Sequence, residues 1–153
     1  MIDYDVARAG AERTQAQVAA ELACRNVLVT FLHLIDEGRS LELPDLFAED
    51  GVMEAVPHSF VGRKAIRDFL QSRANSESTR RTVHALANTQ FRHVSATEVQ
   101  ASSVFAVYAY DSAKDKADLT PEALCTLEDR FVKGGDGVWR FAHHRRAYIV
   151  QHG

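Results

Sequence analysis

The sequence has few cysteines, no excess of basic charge and no long apolar run, and each shortage excludes a class of protein. Its 153 residues include two cysteines, Cys24 and Cys125, too few for a disulfide framework, so we expect both to be buried free thiols. A formal net charge of −3 gives no electrostatic support for binding nucleic acid. We expect no membrane-spanning segment and no signal peptide, since no apolar run has the required length. These features predict a cytoplasmic protein that binds neither nucleic acid nor membrane.

The composition is that of an ordinary globular protein. Hydrophobic residues make up 46% and charged residues 25% of the chain, which is long enough for one hydrophobic core. We therefore predict a loose N-terminal arm over residues 1–10 and a single domain over residues 11–153.

The predicted helices precede a run of long strands. Helical composition between Gly10 and Gly38 predicts a helix over residues 11–37, and apolar spacing predicts a second helix over residues 63–73. Residues 49–51 are typical of a turn, and a first short strand follows over residues 52–56. Four longer strands are predicted over residues 81–94, 98–110, 122–133 and 138–150, with a hairpin turn at residues 134–137. This order predicts an α+β domain whose helices pack on one face of a curved sheet.

Asp36 is the most informative single residue. It ends a largely apolar run over residues 27–35 and lies one helical turn after Leu32, so it continues an apolar line. Either the helix ends there and the carboxylate reaches water, or the side chain points into the interior and needs a partner. We predict His84 as that partner, because a carboxylate can orient an imidazole that moves protons near neutral pH. The alternative is that His84 is a core histidine bonded to Asp36 for structural reasons.

Other candidates each have a structural alternative. Tyr108 could polarise a substrate oxygen, or it could be a packed aromatic with its hydroxyl in water. His58 follows a proline and could reach a pocket mouth, or it could lie in an exposed loop. Arg145 could bind an oxyanion, or it could be a solvated or ion-paired residue. His144 and Arg146 compete with it for the inward position, and a β-bulge would change which of the three faces in.

The seven histidines do not form a recognisable metal site. His143 and His144 are adjacent on a predicted strand, so their side chains should point to opposite faces. The others show no ligand spacing, whereas a zinc site needs three or four converging ligands. We therefore expect neither a metal nor a cofactor.

Four segments occur in order along the chain: residues 45–52 (DLFAEDGV), residues 62–66 (GRKAI), His84 with Asn88, and residues 136–141 (DGVWRF). Together they resemble the SnoaL-like branch of the nuclear transport factor 2-like superfamily, and the resemblance covers about residues 15–150. It implies a cone-shaped fold in which N-terminal helices pack on a strongly curved, mainly antiparallel sheet that encloses a pocket.

Within that superfamily the chain looks most like the scytalone dehydratase-like lyases that use an Asp–His pair. The resemblance implies that Asp36 and His84 are catalytic, and that the protein is a cofactor-independent dehydratase, dehydrohalogenase or isomerase. Its ligand would be a small apolar, cyclic or aromatic molecule. The implied substrate-binding residues are Phe31, Met53, His58, Phe69, Tyr108, His144 and Arg145.

One departure supports a different class of function. Some of these lyases carry a polar catalytic residue about one turn before the aspartate, where this chain has Phe31. The alternative is a non-catalytic small-molecule-binding protein or a structural subunit, like the β subunits of ring-hydroxylating dioxygenases. The resemblance also implies a homodimer or homotrimer formed through the outer face of the sheet.

Overall fold

The structure is a computed structural model that describes residues 5–74, 79–114 and 120–151. This part of the chain contains a short 3₁₀ turn (Val6–Arg8) and a 3₁₀ helix (Ser40–Leu46) besides its α-helices and strands. In chain order the main elements are α1 (Gln15–Asp36), β1 (Phe47–Ala55), β2 (His58–Val61), α2 (Gly62–Ala74), β3 (Arg80–Ser95), β4 (Glu98–Asp111), β5 (Ala123–Lys133) and β6 (Trp139–Gln151).

Helix α1 begins later than predicted because a capping box fixes its first turn. The Thr14 hydroxyl accepts from the Gln17 backbone N–H at 3.2 Å, and the Gln17 side chain accepts from the Thr14 N–H at 3.0 Å. The helix ends at Asp36, and Gly38 follows with a φ of +74°, a conformation that glycine adopts without strain. The predicted stop is confirmed, and the carboxylate of Asp36 lies at the last helical position.

The six strands form one sheet in the order β2-β1-β6-β5-β4-β3. Every neighbouring pair is antiparallel except β1 and β6, which run parallel. Helix α1 packs against β3, β4 and β6, so its apolar side and one face of the sheet enclose the core. The prediction of an α+β cone with a mainly antiparallel sheet is confirmed.

The start of β1 was predicted wrongly. Residues 49–51, expected to form a turn, lie inside this strand, which begins at Phe47. The register with β6 shifts between Phe47 and Val52, so an irregular stretch carries the strand past two acidic residues. Gly51 permits this because a Cβ there would lie 2.9 Å from the Phe141 carbonyl oxygen.

The other predicted strands are confirmed to within two residues at each end, as are the second helix and the glycine hairpin. Gly134 donates to the Val138 carbonyl at 2.9 Å, which closes the turn between β5 and β6. Residues 5–10 are exposed, whereas residues 1–4 of the predicted arm lie outside the described residues. The division into an arm and a single domain stays a prediction.

Helix α1 is shorter than the predicted helix over residues 11–37, but it is long and apolar enough to meet the criteria for a membrane-spanning helix. Its length and mean hydropathy of 1.5 would permit it to cross a membrane, contrary to our expectation. The core helix of a soluble protein meets the same criteria, and α1 contributes Cys24, Leu28 and Phe31 to the core. Its packing against the sheet is that of a soluble domain.

Candidate functional site

Asp36 and His84 lie in contact where the end of α1 meets β3. Oδ1 of Asp36 is 2.5 Å from Nδ1 of His84, and it also accepts from the Thr82 hydroxyl at 3.0 Å. Oδ2 accepts from the His84 backbone N–H at 2.9 Å. The carboxylate therefore has three donors on two oxygens, which satisfies a half-buried acid whose side chain is 19% exposed.

This hydrogen-bond pattern determines the tautomer of His84. Because the Asp36 carboxylate accepts, Nδ1 carries the hydrogen and Nε2 presents a lone pair. Within the described residues Nε2 has no hydrogen-bond partner, and the His84 side chain is 10% exposed. The Phe105 ring lies beside the imidazole, with the two centroids 5.4 Å apart. The arrangement can accept a proton at Nε2 while the carboxylate stabilises the imidazolium.

A second aspartate–histidine pair lies deeper in the molecule. Oδ1 of Asp129, on β5, is 2.7 Å from Nδ1 of His144, on β6, and the two side chains are 0% and 3% exposed. Burial raises the pKa of the Asp129 carboxyl above its ordinary value, and the neighbouring His144 opposes this shift. Oδ2 of Asp129 is buried and has no hydrogen-bond partner among the described residues.

Sequence reasoning identified His144 but missed Asp129. The missing signal was the alternation along β5, where Asp129 occupies the same face as the buried Leu127 and Phe131. A carboxylate in such an apolar line indicates a buried partner. The adjacent acid, Glu128, lies on the other face of β5, so the alternation distinguishes the two.

Phe31 and Met53 surround the second pair rather than the first. The Phe31 and His144 rings have centroids 4.3 Å apart, and Met53 lies beside His144 in the register of β1 and β6. Both side chains are buried. Phe31 also meets the Phe141 ring edge-on at 5.6 Å. These two predicted substrate-binding residues therefore pack in the core around His144, and their contact with a ligand stays a prediction.

Phe69 and His58 lie on the side of α2 and β2. The Phe69 ring stacks on Phe60, with centroids 4.1 Å apart, and is half-buried. His58 is exposed at the first position of β2. The exposed-loop alternative for His58 describes its surroundings better than a place inside a pocket.

Tyr108 does not face the interior, contrary to prediction. His84 pairs with Val107 across β3 and β4, so both point inward, and Tyr108 pairs with Val83 on the outer face. Tyr110 shares that outer face by the same alternation. The two tyrosines do lie on one face of β4, as predicted, but that face is the outer one. The prediction was wrong about which face of the strand points inward.

Arg145 also points outward, and its Nε is 3.3 Å from Oε2 of Glu54. A regular strand would put Arg145 on the face of Trp139 and Phe141. The register of β6 shifts between Phe141 and His143, so a bulge at Ala142 turns His144 inward instead. The ion-pair alternative for Arg145 is therefore the one observed. Arg146 shares the face of His144 and donates to the Tyr148 hydroxyl at 3.0 Å.

Two open grooves flank the sheet. One groove, of about 320 Å³, lies at the edge formed by the start of β3 and the end of β4. Ala109 lines this groove and pairs across the strands with Thr82, whose hydroxyl donates to Asp36. The other, of about 370 Å³, lies near the glycine hairpin, with Arg63 and Arg140 in its lining. The first groove therefore adjoins the end of the sheet that carries Asp36 and His84.

No cluster of three or more histidine, cysteine or acidic side chains suited to a metal ion occurs in residues 5–74, 79–114 and 120–151. Cys24 and Cys125 are buried free thiols, as predicted. The expectation of a reaction without metal or cofactor stays a prediction.

The fold and these contacts define a small α+β domain in which a long helix packs against one face of a single mixed sheet. The family model for the SnoaL-like domain matches residues 16–145. The chain therefore belongs to the SnoaL-like family, whose members bind small molecules. No curated protein sequence matches it.

Solved structures with this fold include proteins of several kinds. A scytalone dehydratase-like protein from Novosphingobium aromaticivorans is 22% identical, with a TM-score of 0.76 over 92% of this chain and 91% of the other. A Catenulispora acidiphila protein in complex with S-DNPA is 24% identical, with a TM-score of 0.72 over 86% and 95% of the two chains. ActVI-ORFA from Streptomyces coelicolor is 16% identical, with a TM-score of 0.73 over 86% and 98%. At these identities the likeness is one of fold.

Proposed function

We propose that this protein is a cofactor-independent lyase or isomerase that acts on an apolar, cyclic small molecule, with His84 as general base. The observation that carries the proposal is the position of Asp36 on Nδ1, which leaves Nε2 of His84 unbonded within the described residues. Asp36 holds the tautomer and stabilises the imidazolium. The similarity in fold to a scytalone dehydratase-like protein supports the same class of reaction.

The proposed elimination needs only a proton acceptor and a leaving group. Nε2 of His84 takes a proton from carbon, and the electrons of that C–H bond form a double bond to the neighbouring carbon. Hydroxide or halide departs from that carbon with its bonding electrons. The imidazolium then gives its proton to hydroxide, forming water, or releases it to solvent when halide leaves. In an isomerisation the same proton returns to a different carbon of the substrate.

The surroundings of the His84 ring support an uncharged ring as substrate. Phe105 presents an aromatic face beside His84, and its neighbour on the inner side of β4, Val107, is buried. An aromatic or cyclic ligand gains dispersion and stacking energy against such a surface. The complex of a Catenulispora acidiphila relative with S-DNPA supports binding of a small organic molecule by this fold.

The test is turnover of cyclic alcohols and halides that carry an acidic C–H next to the leaving group, followed by the absorbance of the new double bond. For any substrate found, His84→Gln should lower kcat about 10²–10⁴-fold, the usual contribution of a general base. His93→Gln is the matched control, because His93 lies on the same strand and pairs with a carboxylate of α1, Glu21, at 2.8 Å. Equal losses in both variants, or full activity of His84→Gln, would contradict the proposal.

A second candidate function is binding without turnover, either as a ligand carrier or as a structural subunit like a dioxygenase β subunit. The observation that favours it is the burial of Phe31 among aromatic rings, which offers no polar group to a reaction. Ligand affinity that persists in His84→Gln, in a parent protein that turns over none of the compounds it binds, would support this function instead.

We also propose that the chain assembles in the cytoplasm as a homodimer or homotrimer through the outer face of its sheet. Val83 and Tyr110 are exposed apolar side chains on that face. Sedimentation of the parent as an oligomer, and of Val83→Glu as a smaller species, is the expected result. A parent that sediments as a monomer at every concentration would contradict it.

A further inference from the structure

The buried Asp129–His144 pair is not used by the proposed reaction. It lies between β5 and β6, and aromatic rings close over it: Phe31 at 4.3 Å and Phe141 at 5.0 Å from the His144 ring centroid. The side chains are 0% and 3% exposed, so water does not screen any charge that they carry.

The two oxygens of Asp129 have different surroundings. Oδ1 meets Nδ1 of His144 at 2.7 Å, whereas Oδ2 is buried without a partner in the described part of the chain. A carboxylate spreads its charge over both oxygens, and leaving one of them buried without a donor is costly. The carbonyl oxygen of a protonated acid carries much less charge. The geometry therefore favours a proton on the Oδ1···Nδ1 bond in addition to the one on Nε2.

Among the described residues, no arginine or lysine forms an ion pair with Asp129. From α1, the thiol of Cys24 faces this region, and burial raises its pKa to about 12, so it stays neutral. Glu21 on the same helix and Glu128 on the outer face of β5 add negative charge. His143, on the outer face of β6, lowers the pKa of Asp129, but it is the smallest of the influences on that carboxyl. Met53 of β1 and Ala101 of β4, which flank the pair in register, are uncharged.

Arg146 is the remaining basic residue on the same face of β6. Its guanidinium donates to the Tyr148 hydroxyl and lies 4.7 Å over the Tyr148 ring. It is therefore directed towards the end of the strand. The charge on Asp129 has to be balanced within the pair itself, by a proton.

We propose that Asp129 and His144 hold one proton in common through neutral pH, as an electrically neutral unit, and that its loss at alkaline pH is a built-in switch that loosens the packing under Phe31. Above the pH at which the pair loses this proton, a net negative charge is buried among aromatic rings. The Asp36–His84 pair, by contrast, has three donors on its carboxylate and needs no extra proton. This property is independent of any turnover.

The switch has a definite direction with pH. In an unfolded chain, aspartate side chains titrate near ~3.9 and histidine side chains near ~6.5, so above about pH 6.5 the unfolded chain does not hold the shared proton. The folded pair retains it, consistent with the raised pKa of Asp129. The folded state thus binds more protons than the unfolded state, and the contribution of the pair to stability falls as pH rises towards the folded value.

The first measurement compares the parent with Asp129→Asn, which keeps the acceptor for Nδ1 but holds no shared proton. Relative to the variant, the Tm of the parent should fall by about 3 °C or more between about pH 6.5 and about pH 9. Glu54→Gln is the matched control, because Glu54 pairs with His143 on the outer face at 3.3 Å and should give a curve parallel to the parent. A constant difference between parent and Asp129→Asn over this range would overturn the proposal.

The second measurement uses the unmodified protein, so it does not depend on the folding of a variant. The ¹³C chemical shift of the Asp129 carboxyl and the ¹⁵N shifts of His144 report where the protons lie. A carboxyl shift away from the ionised value at about pH 7, moving to it in step with His144 at alkaline pH, is the expected result. An ordinary ionised carboxylate on Asp129 at about pH 7, with an ordered water on Oδ2 in a crystal structure, would overturn the proposal.

Discussion

The described part of the chain contains two aspartate–histidine pairs of the same composition and very different surroundings. In the Asp36–His84 pair the carboxylate has three donors and the histidine side chain retains 10% exposure. In the Asp129–His144 pair one carboxylate oxygen has no hydrogen-bond partner among the described residues, and the histidine is enclosed by aromatic rings. A satisfied carboxylate with an open imidazole suits proton transfer, whereas the enclosed pair suits proton retention. The chemistry of such a pair follows from its solvation and donors rather than from its residues.

A third contact, between Glu21 and His93, extends this comparison. This contact joins the first half of α1 to the last part of β3. The contact between Asp36 and His84 joins the end of α1 to the first part of β3. Glu21 is also held by Arg13 at 2.9 Å, so its charge is shared with a cation. Helix α1 is thus attached to one strand at two points, through Nδ1 of His84 at one and through Nε2 of His93 at the other.

Asp36→Asn should give the largest effect on function. The amide preserves the shape of the carboxylate but cannot stabilise an imidazolium, and it can hold His84 in the wrong tautomer. We expect kcat to fall about 10²–10⁴-fold with little change in the binding of a substrate analogue. Steady-state kinetics and calorimetric binding together check this, and a loss confined to analogue binding would contradict it.

Phe31→Ala should give the largest effect on stability. The change removes a buried ring that meets Phe47, Phe141 and His144, and opens a cavity over the Asp129–His144 pair. A loss of about 3–5 kcal/mol in the free energy of unfolding is expected from urea denaturation. Phe31→Leu is the control and should lose much less, because it fills most of the same volume. Similar losses in the two variants would indicate that the cavity is not the cause.

Thr82→Val tests the donors of the first pair. It removes the hydroxyl that donates to Oδ1 of Asp36 and keeps the size and β-branching of the side chain. A hydrogen bond to a charged group contributes about 1.5–3 kcal/mol of free energy, and the partial exposure of Asp36 reduces this contribution. We expect kcat to fall about tenfold while the overall fold remains. A kcat equal to that of the parent would show that two donors are enough.

Glu21→Gln should have the smallest effect. The salt bridge to Arg13 is partly exposed, and pairs of this kind contribute at most about 1 kcal/mol. We expect a small loss of stability by urea denaturation and no change in kcat. A loss of activity comparable to that of Asp36→Asn would mean that the two attachments of α1 to β3 act together.

Most of the sheet could be predicted from the sequence because its long strands alternate regularly. Strands β3 to β6 appear where the pattern places them, and Gly38 ends α1 as expected. The Asp36–His84 contact was predicted from the apolar line before Asp36 together with the family resemblance. Helix ends and alternation are local properties, so a single sequence carries them.

The errors at the candidate site concern the face to which a strand residue points. Tyr108 was assigned to the interior although its neighbours Phe105 and Val107 point there, and Asp129 was overlooked beside Glu128. The face on which a strand residue lies depends on the register with neighbouring strands. That register is set by residues distant in the sequence. β1 was misread for a related reason, because two acids and a glycine look like a turn but lie in an irregular strand.

The bulge at Ala142 has a consequence for comparing this chain with its relatives. Before the bulge, odd-numbered residues such as Phe141 face inward. After it, even-numbered residues such as His144 face inward. Moving the bulge along β6 would exchange one interior histidine for another without any substitution. Relatives aligned by residue identity alone across this strand can therefore be assigned the wrong inward residue. Transferring a ligand contact between such proteins requires that their bulges be aligned first.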